Sequence, residues 1–394
     1  MGNAARPVRR LTVQTRSPMF SVHIDTARNW RGGQNQVLLT VLGLRMRGHR
    51  AALVAHPDGE LYRRASEGTD LFPLAAKIEM DLHAAWRMSQ LVKSLHPDVV
   101  HAHDAHALAI ASLARPLAGR ANTVPVVASR RVDFHVGHNA FSRWKYRQVD
   151  HFLCASRAIR DMLVSDGIPA ERTTVVYEGI DLARVEAAPS LDLHREFWRP
   201  VGMPLVGNVA ALAPHKGQRY LIDAAALVVR EVPDAQFLIV GTGELKETLE
   251  RQIHRLRLDK HVILTGFRTD VLSILKELDL FVMSSVTEGL CTSVLDAMAA
   301  SRAVVATRAG GIPESVINNH TCLLVPVRDA VGLARAIVAL LKDDSRRRAF
   351  GEAGYRRARE IFSADRMVDE TAAVYAAQVD TTRAMDNDRH HATP

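Results

Sequence analysis

One rhythm constrains this chain more than any other feature: short runs rich in β-branched residues, each followed by a longer stretch of helical periodicity. The runs are FSVHI (20–24), AALVA (51–55), DVVHAH (98–103), VPVVAS (124–129), HFLCAS (151–156) and TTVVY (173–177). Strands that alternate with helices pair in parallel, because each connection must cross back over the sheet. A stretch without clean periodicity follows, and the rhythm then restarts with PLVGNVA (204–210), AQFLIVG (235–241), HVILTG (261–266), LDLFVMS (278–284), RAVVAT (302–307) and TCLLVP (321–326). The fold class expected is α/β, with two doubly wound, Rossmann-like domains and a ligand cleft between them. The expected boundaries are a disordered basic leader at 1–18, a first domain at 19–181, a linker at 182–203 and a second domain at 204–363. A C-terminal helix at 364–379 and a disordered polar tail at 380–394 complete the chain.

Composition narrows the classes of function. A chain of 394 residues exceeds what one ordinary core organises. With 47% apolar and 24% charged residues, the chain reads as a soluble globular protein. No uncharged apolar run approaches the roughly 20 residues of a membrane span, so membrane contact is expected only at the periphery. The start MGNAARPVRRLTVQTRSPMF has positive charges but no apolar stretch behind them, unlike a signal peptide. The excess of 51 Lys and Arg over 43 Asp and Glu, a net +8, favours anionic partners: phosphates, acidic lipid or nucleic acid. Cys154, Cys291 and Cys322 are odd in number and share no metal-type spacing, so buried thiols in a reducing cytoplasm are expected.

Several segments carry candidate chemistry. In EGLCTSVLD (288–296), Glu288 stands at the mouth of a helix expected over 289–300, with Asp296 inside it. Two helical residues eight apart lie about 12 Å apart along the axis, at roughly 1.5 Å per residue. That exceeds the roughly 5–9.5 Å between paired glycosidase carboxylates. The spacing suits two ends of one long ligand: sugar hydroxyls at Glu288, ribose hydroxyls at Asp296, and a diphosphate over the N–H groups of Leu290, Cys291 and Thr292. ALAPHKGQRYLIDA places Lys216 before Gly217 at a helix start, an anion site in its own right. IVGTGELKETL has Gly241 and Gly243 but Lys246 where a dinucleotide fingerprint needs a third glycine, so a tight turn is the expected role. HAHDAH puts His101, His103, Asp104 and His106 at a strand end, open to a metal reading as well as a catalytic one. FSRWKYR (141–147) mixes aromatic and basic side chains, which suits nucleic acid, an anionic membrane or an acidic glycolipid as well as a helix packed by its aromatics.

Taken in order, these segments resemble the family 4 retaining glycosyltransferases, whose fold is the two-Rossmann-domain GT-B arrangement. The resemblance runs from RGGQNQ (31–36) through RGHRAALVAHPDGELYRRA (47–65), PDVVHAHDAHAL (97–108), VVYEGIDLARV (175–185) and APHKG (213–217) to EGLCTSVLDAMAASRAVVATRAGGIPE (288–314). SRRVDFHVGHNAFSRWKYRQVD (129–150) is similar to bacterial enzymes that build lipopolysaccharide or other surface polysaccharides. By position, the resemblance implies that Glu288 binds the donor sugar, Lys216 the diphosphate, and that His103 is the active-site histidine. Gly32 and Gly33 are the glycine loop that lets backbone approach the diphosphate and acceptor. Gly289, Leu290, Cys291 and Thr292 line the donor. Asp296 stands for a ribose-binding Glu one methylene longer, and Cys291 for a glycine. An arginine usual in the family is absent from VGNVAALAPH, where only His215 offers a replacement. Phe267 and Arg268 in TGFRTDV are expected near the base, and Arg130 and Arg131 near a charged acceptor. The family implies no metal and no cofactor beyond the nucleotide-diphosphate sugar, with a glycan or glycolipid acceptor; nucleic acid is not an expected partner, and the expected location is the cytoplasm, with peripheral contact at the inner face of the membrane. A nucleotide-sugar epimerase of the same architecture and a catalytically reduced nucleotide- or glycan-binding protein are the alternatives.

Overall fold

The computed structural model describes residues 17–66, 68–76, 78–119, 123–137, 139–197 and 202–391. Most of the expected leader, part of the linker and the last three residues of the tail lie outside the described residues. In the first half, β1 (Phe20–Asp25), β2 (Arg50–Ala55), β3 (Asp70–Pro73), β4 (Val99–Ala102), β5 (Val126–Arg130), β6 (His151–Cys154) and β7 (Thr173–Val175) form one parallel sheet, ordered β3-β2-β1-β4-β5-β6-β7. In the second, β8 (Leu205–Val209), β9 (Gln236–Val240), β10 (Val262–Gly266), β11 (Leu280–Met283), β12 (Ala303–Thr307) and β13 (Cys322–Val325) form another, ordered β10-β9-β8-β11-β12-β13. Both sheets are wound outwards in two directions from a central pair, so the doubly wound α/β class holds.

The central strands read as near-continuous apolar runs because helices cover both faces of each sheet. Val22, Ile24, Leu53, Val282 and Val305 are inaccessible to solvent. A strand absent from the sequence reading, β3, is four residues long and ends in Pro73, which has no N–H for a ladder. Such a segment survives only at an edge, where β3 lies beside β2.

The chain end differs from expectation. The last helix runs Ala364–His391, through most of the tail expected to be disordered. No Gly or Pro interrupts residues 380–391, Thr381 and Thr382 bond back to the carbonyls of Ala377 and Gln378, and Arg383 pairs with Asp98 of the first domain at 3.4 Å. This helix packs on the first sheet's side of the molecule: Met367, Val368, Tyr375 and Val379 share a core with Val37, Val41, Leu53 and Val127. Among the described residues, no helix is long and apolar enough to cross a membrane.

Candidate active site

Strand order locates the site before any side chain does. In the first sheet the winding reverses between β1 and β4, and in the second between β8 and β11. A crevice opens outside the C-terminal ends of strands at such reversals. Gly32 and Gly33 follow β1, His103 follows β4, Lys216 follows β8 and Glu288 follows β11. Four separate motifs therefore converge on one cleft.

On the second-domain side, Lys216 Nζ lies 2.7 Å from Glu288 Oε1, and the Ser285 hydroxyl donates to the same oxygen at 2.6 Å. The approach depends on Gly217, at φ 65, where a Cβ would collide with the Ser284 carbonyl. Val286 N–H donates to the His215 carbonyl at 2.7 Å, locking the two loops together. Burial works against the ammonium of Lys216, but Glu288 outweighs it and raises the pKa above its usual value. His215 moves the other way: burial, then Lys216, lowers its pKa, so it is a neutral imidazole at pH 7 and no second cation.

The helix expected over 289–300 begins only at Thr292 and ends at Ala299. Cys291 precedes it in the left-handed region, φ 76 and ψ 78, so residues 288–291 form a loop. The helical ruler between Glu288 and Asp296 therefore does not apply, and the free amides of the first helical turn start at Thr292, not Leu290. Asp296 is half-buried inside the helix; burial, reinforced by Glu178 and opposed by Arg184, raises its pKa to about 7.

Across the cleft the first domain comes very close. A Cβ on Gly32 would sit 2.8 Å from the Thr292 hydroxyl, and one on Gly289 would strike the carbonyl of Arg131. His103 is buried in a trio with His23 and His101. The Arg131 guanidinium donates to His103 Nδ1 at 3.3 Å and to the His103 carbonyl at 3.3 Å. Because guanidinium only donates, Nδ1 must accept and the neutral ring carries its proton on Nε2. That proton goes to His23 Nδ1 at 2.9 Å, which leaves His23 donating through Nε2 to Ser21 Oγ at 2.9 Å. Arg131 thus sets the tautomer of two histidines. Burial, with Arg131 and neighbouring rings adding to it, holds all three imidazoles well below their usual pKa, His23 to about 3.

Metal ligation was one reading of HAHDAH. The geometric trio is His23, His101 and His103, while Asp104 instead caps the helix Ala105–Leu117 and binds Thr26. Each ring nitrogen of the trio already has a partner: Ser21, Ser129, Tyr375, Arg131 or another ring. A cation placed there would face Arg131, so the donor set does not fit a metal.

The tandem Arg130–Arg131 splits. Arg130 bonds outward to Tyr146 Oη at 2.8 Å and to the Phe134 carbonyl, while Arg131 turns into the cleft and pairs through Nε with Glu178 at 3.3 Å. Phe267 is exposed at the end of the edge strand β10, and Arg268 is engaged with Glu196 and Asp270. Sequence reasoning passed over Glu178, although it stands inside VVYEGIDLARV, where an acid after a buried strand was a usable signal. It also missed Asp25, whose buried carboxylate accepts from Gln34 at 3.1 Å and Ala27 N–H at 3.0 Å; burial, then Asp104, raises its pKa to about 6. Tyr375, which bonds His101 from the last helix, gave no local signal.

Residues 30–184 match the family model described as Glycosyltransferase Family 4, and residues 192–357 that described as Glycosyl transferases group 1. The chain is 33% identical over 261 residues to the GDP-mannose-dependent alpha-(1-6)-phosphatidylinositol monomannoside mannosyltransferase of Mycolicibacterium smegmatis, covering 62% of this chain and 68% of that one. It is 30% identical over 302 residues to glycogen synthase of Mycobacterium tuberculosis, covering 72% and 70%. Among solved structures, HepE of Anabaena in complex with UDP-glucose superposes with a TM-score of 0.79 at 21% identity, covering 91% of this chain and 100% of that one.

Proposed function

The chain belongs to the family 4 glycosyltransferases and has their GT-B fold, and from that premise we propose that it moves a sugar from a nucleotide-diphosphate donor to an acceptor hydroxyl with retention of configuration. The observation that carries this reading is the Lys216–Glu288 pair at the second switch point, facing the glycine loop and His103 of the first. Lys216 and the first amides of the helix Thr292–Ala299 stabilise the negative charge that grows on the departing diphosphate. Glu288, held as an acceptor by Lys216 and Ser285, takes hydrogen bonds from the donor sugar. Gly32 and Gly33 bring backbone to the phosphates, Asp296 takes the ribose, and Phe267 lies against the base.

Retention follows from attack on the face the diphosphate leaves, with the leaving oxygen accepting the proton of the incoming hydroxyl. No dedicated base is then needed, in keeping with a neutral His103. The reaction is assigned no metal, the cationic work falling to side chains. UDP-glucose is the ligand named for the Anabaena neighbour, and a nucleotide sugar of that form is the donor class proposed here. Epimerisation and a purely binding role are not favoured, since the two relatives above are a transferase and a synthase.

For the acceptor we propose a glycan or glycolipid of a cell-surface polysaccharide, met at an anionic membrane. Support comes from exposed Ile78, Met80, Leu82, Trp86 and Phe134 beside the basic helix Ala140–Arg147, which Lys145–Glu79 ties to the first of these. Exposed apolar side chains beside Arg143 and Arg147 suit a lipid interface.

A panel of nucleotide sugars tested for slow donor hydrolysis checks the central reading without knowledge of the acceptor. Lys216→Ala and Glu288→Gln are expected to lower nucleotide release by about 100-fold or more, the cost typical of removing one preorganised charge contact, while retaining a cooperative melt. Wild-type rates in either variant would overturn the site.

A further inference from the structure

The loops that follow β8 and β11 bring one cation, Lys216, to the cleft. A nucleotide diphosphate enters with about two negative charges, and charge removed from water must be paired. The second domain offers Lys216, whose Nζ is already on Glu288. Its neighbour His215 is neutral, and residues 206–215 contain no Lys or Arg.

We propose that a second cation is supplied from the opposite domain by Arg131, which binds the donor diphosphate and in doing so releases His103 toward the donor sugar; this rests on the transferase reading above. Three observations carry it. First, Arg131 lies where the domains touch: its Cδ is 3.9 Å from a Cβ built on Gly33, and its carbonyl abuts Gly289 at the mouth of the helix Thr292–Ala299. The glycine loop and the amide-bearing helix end, both suited to phosphate, are thus immediate neighbours of this residue. Second, its contacts divide by function. All of these contacts are at 3.3 Å, but Nε faces the opposite charge of Glu178, whereas among the described residues the two Nη atoms hold a neutral imidazole nitrogen and a carbonyl. Phosphate oxygens offer those Nη atoms shorter, charge-assisted bonds, so the exchange is downhill while Glu178 keeps the anchor. Third, among the described residues Arg131 is the one partner of His103 Nδ1, so withdrawal of the Nη atoms leaves a lone pair on a neutral ring free to accept from a sugar hydroxyl.

Arg131 was expected beside the acceptor together with Arg130; the inward turn assigns it to the donor instead. The pairing also couples binding to chemistry, since His103 becomes available only when the diphosphate is in place.

Calorimetric titration with UDP, GDP and ADP and the matching monophosphates tests this with the full chain. Wild type that binds none of the diphosphates would sink the transferase reading itself. Given binding, Arg131→Gln is expected to lose the extra affinity for diphosphate over monophosphate by about 10- to 100-fold, the scale of a charged hydrogen-bonded contact, with monophosphate affinity unchanged. Arg131→Lys recovers part of the ratio, and Arg130→Ala keeps all of it. If Arg131→Gln does not fold, a reduced ratio in Arg131→Lys with intact monophosphate binding decides for the proposal. An unchanged ratio in the Arg131 variants overturns it, as does loss of the ratio in Arg31→Ala instead, which would move the role to the exposed arginine of the glycine loop.

Discussion

Cys291 holds a side chain in a backbone conformation that favours glycine, φ 76 and ψ 78, and its thiol is packed against Glu288. The left-handed region costs a residue with a Cβ about 1–2 kcal/mol. Alanine at 291 keeps that cost and glycine does not, so Cys291→Gly is expected to be about 1 kcal/mol more stable than Cys291→Ala in urea unfolding; equal midpoints would show that the loop relaxes elsewhere. Asp296 allows a pH test. Its folded pKa of about 7 lies above the ordinary 3.8, so the native state binds the proton more tightly than the unfolded chain does. Its contribution to stability is fully present below pH 4 and is lost as pH rises towards 7. Asp296→Asn, neutral throughout, should therefore melt higher than wild type at pH 8 and close to it below pH 4, and a pH-independent difference would exclude titration of this group. At this scale the placement of Lys216, Glu288 and His103 at the cleft was legible, because each follows a recognisable strand. The inward turn of Arg131 was not, since two adjacent arginines look identical in a string.

Elements depend on what they lie against. Gly43, in the helix Gly32–Met46, faces Val368 of the last helix, where a Cβ would stand 2.5 Å from a buried methyl. In an exposed helix Gly→Ala gains about 1 kcal/mol. Here overpacking at a cost of about 1–3 kcal/mol wins, and Gly43→Ala is expected to lower stability by about 1–2 kcal/mol in chemical denaturation; a stabilised variant would mean that the two helices part freely. The same packing explains why the last helix outruns its expected end: tertiary contacts such as Arg383–Asp98 extend it beyond what a polar sequence predicts. It also carries Tyr375 to His101, so a C-terminal element helps position the histidine trio next to the cleft.

At the scale of the molecule, the domains are latched. The Glu314 carboxylate accepts from the N–H groups of Arg157 at 2.7 Å and Ala158 at 2.9 Å, and from Tyr177 Oη at 3.1 Å. Those amides begin the helix Arg157–Ser165, so a second-domain anion sits on the positive end of a first-domain helix. Gly311 packs beside it on Ser156. Glu314→Ala should open the unliganded protein, visible as a larger radius of gyration in solution scattering and a raised donor KM; superposable scattering curves would show that apolar contacts alone hold the cleft.

The sequence by itself determined two parallel sheets and the four loops that meet at the cleft between them. Burial on both faces of a strand and the residues at its end are local properties, written in consecutive letters. Only the tertiary structure decided which groups meet: Lys216 with Glu288, Arg131 with Glu178 and His103, Tyr375 with His101, Glu314 with a distant helix. Those choices follow from shape and low dielectric where chain segments far apart in sequence come together, and neither has a local period from which it can be read.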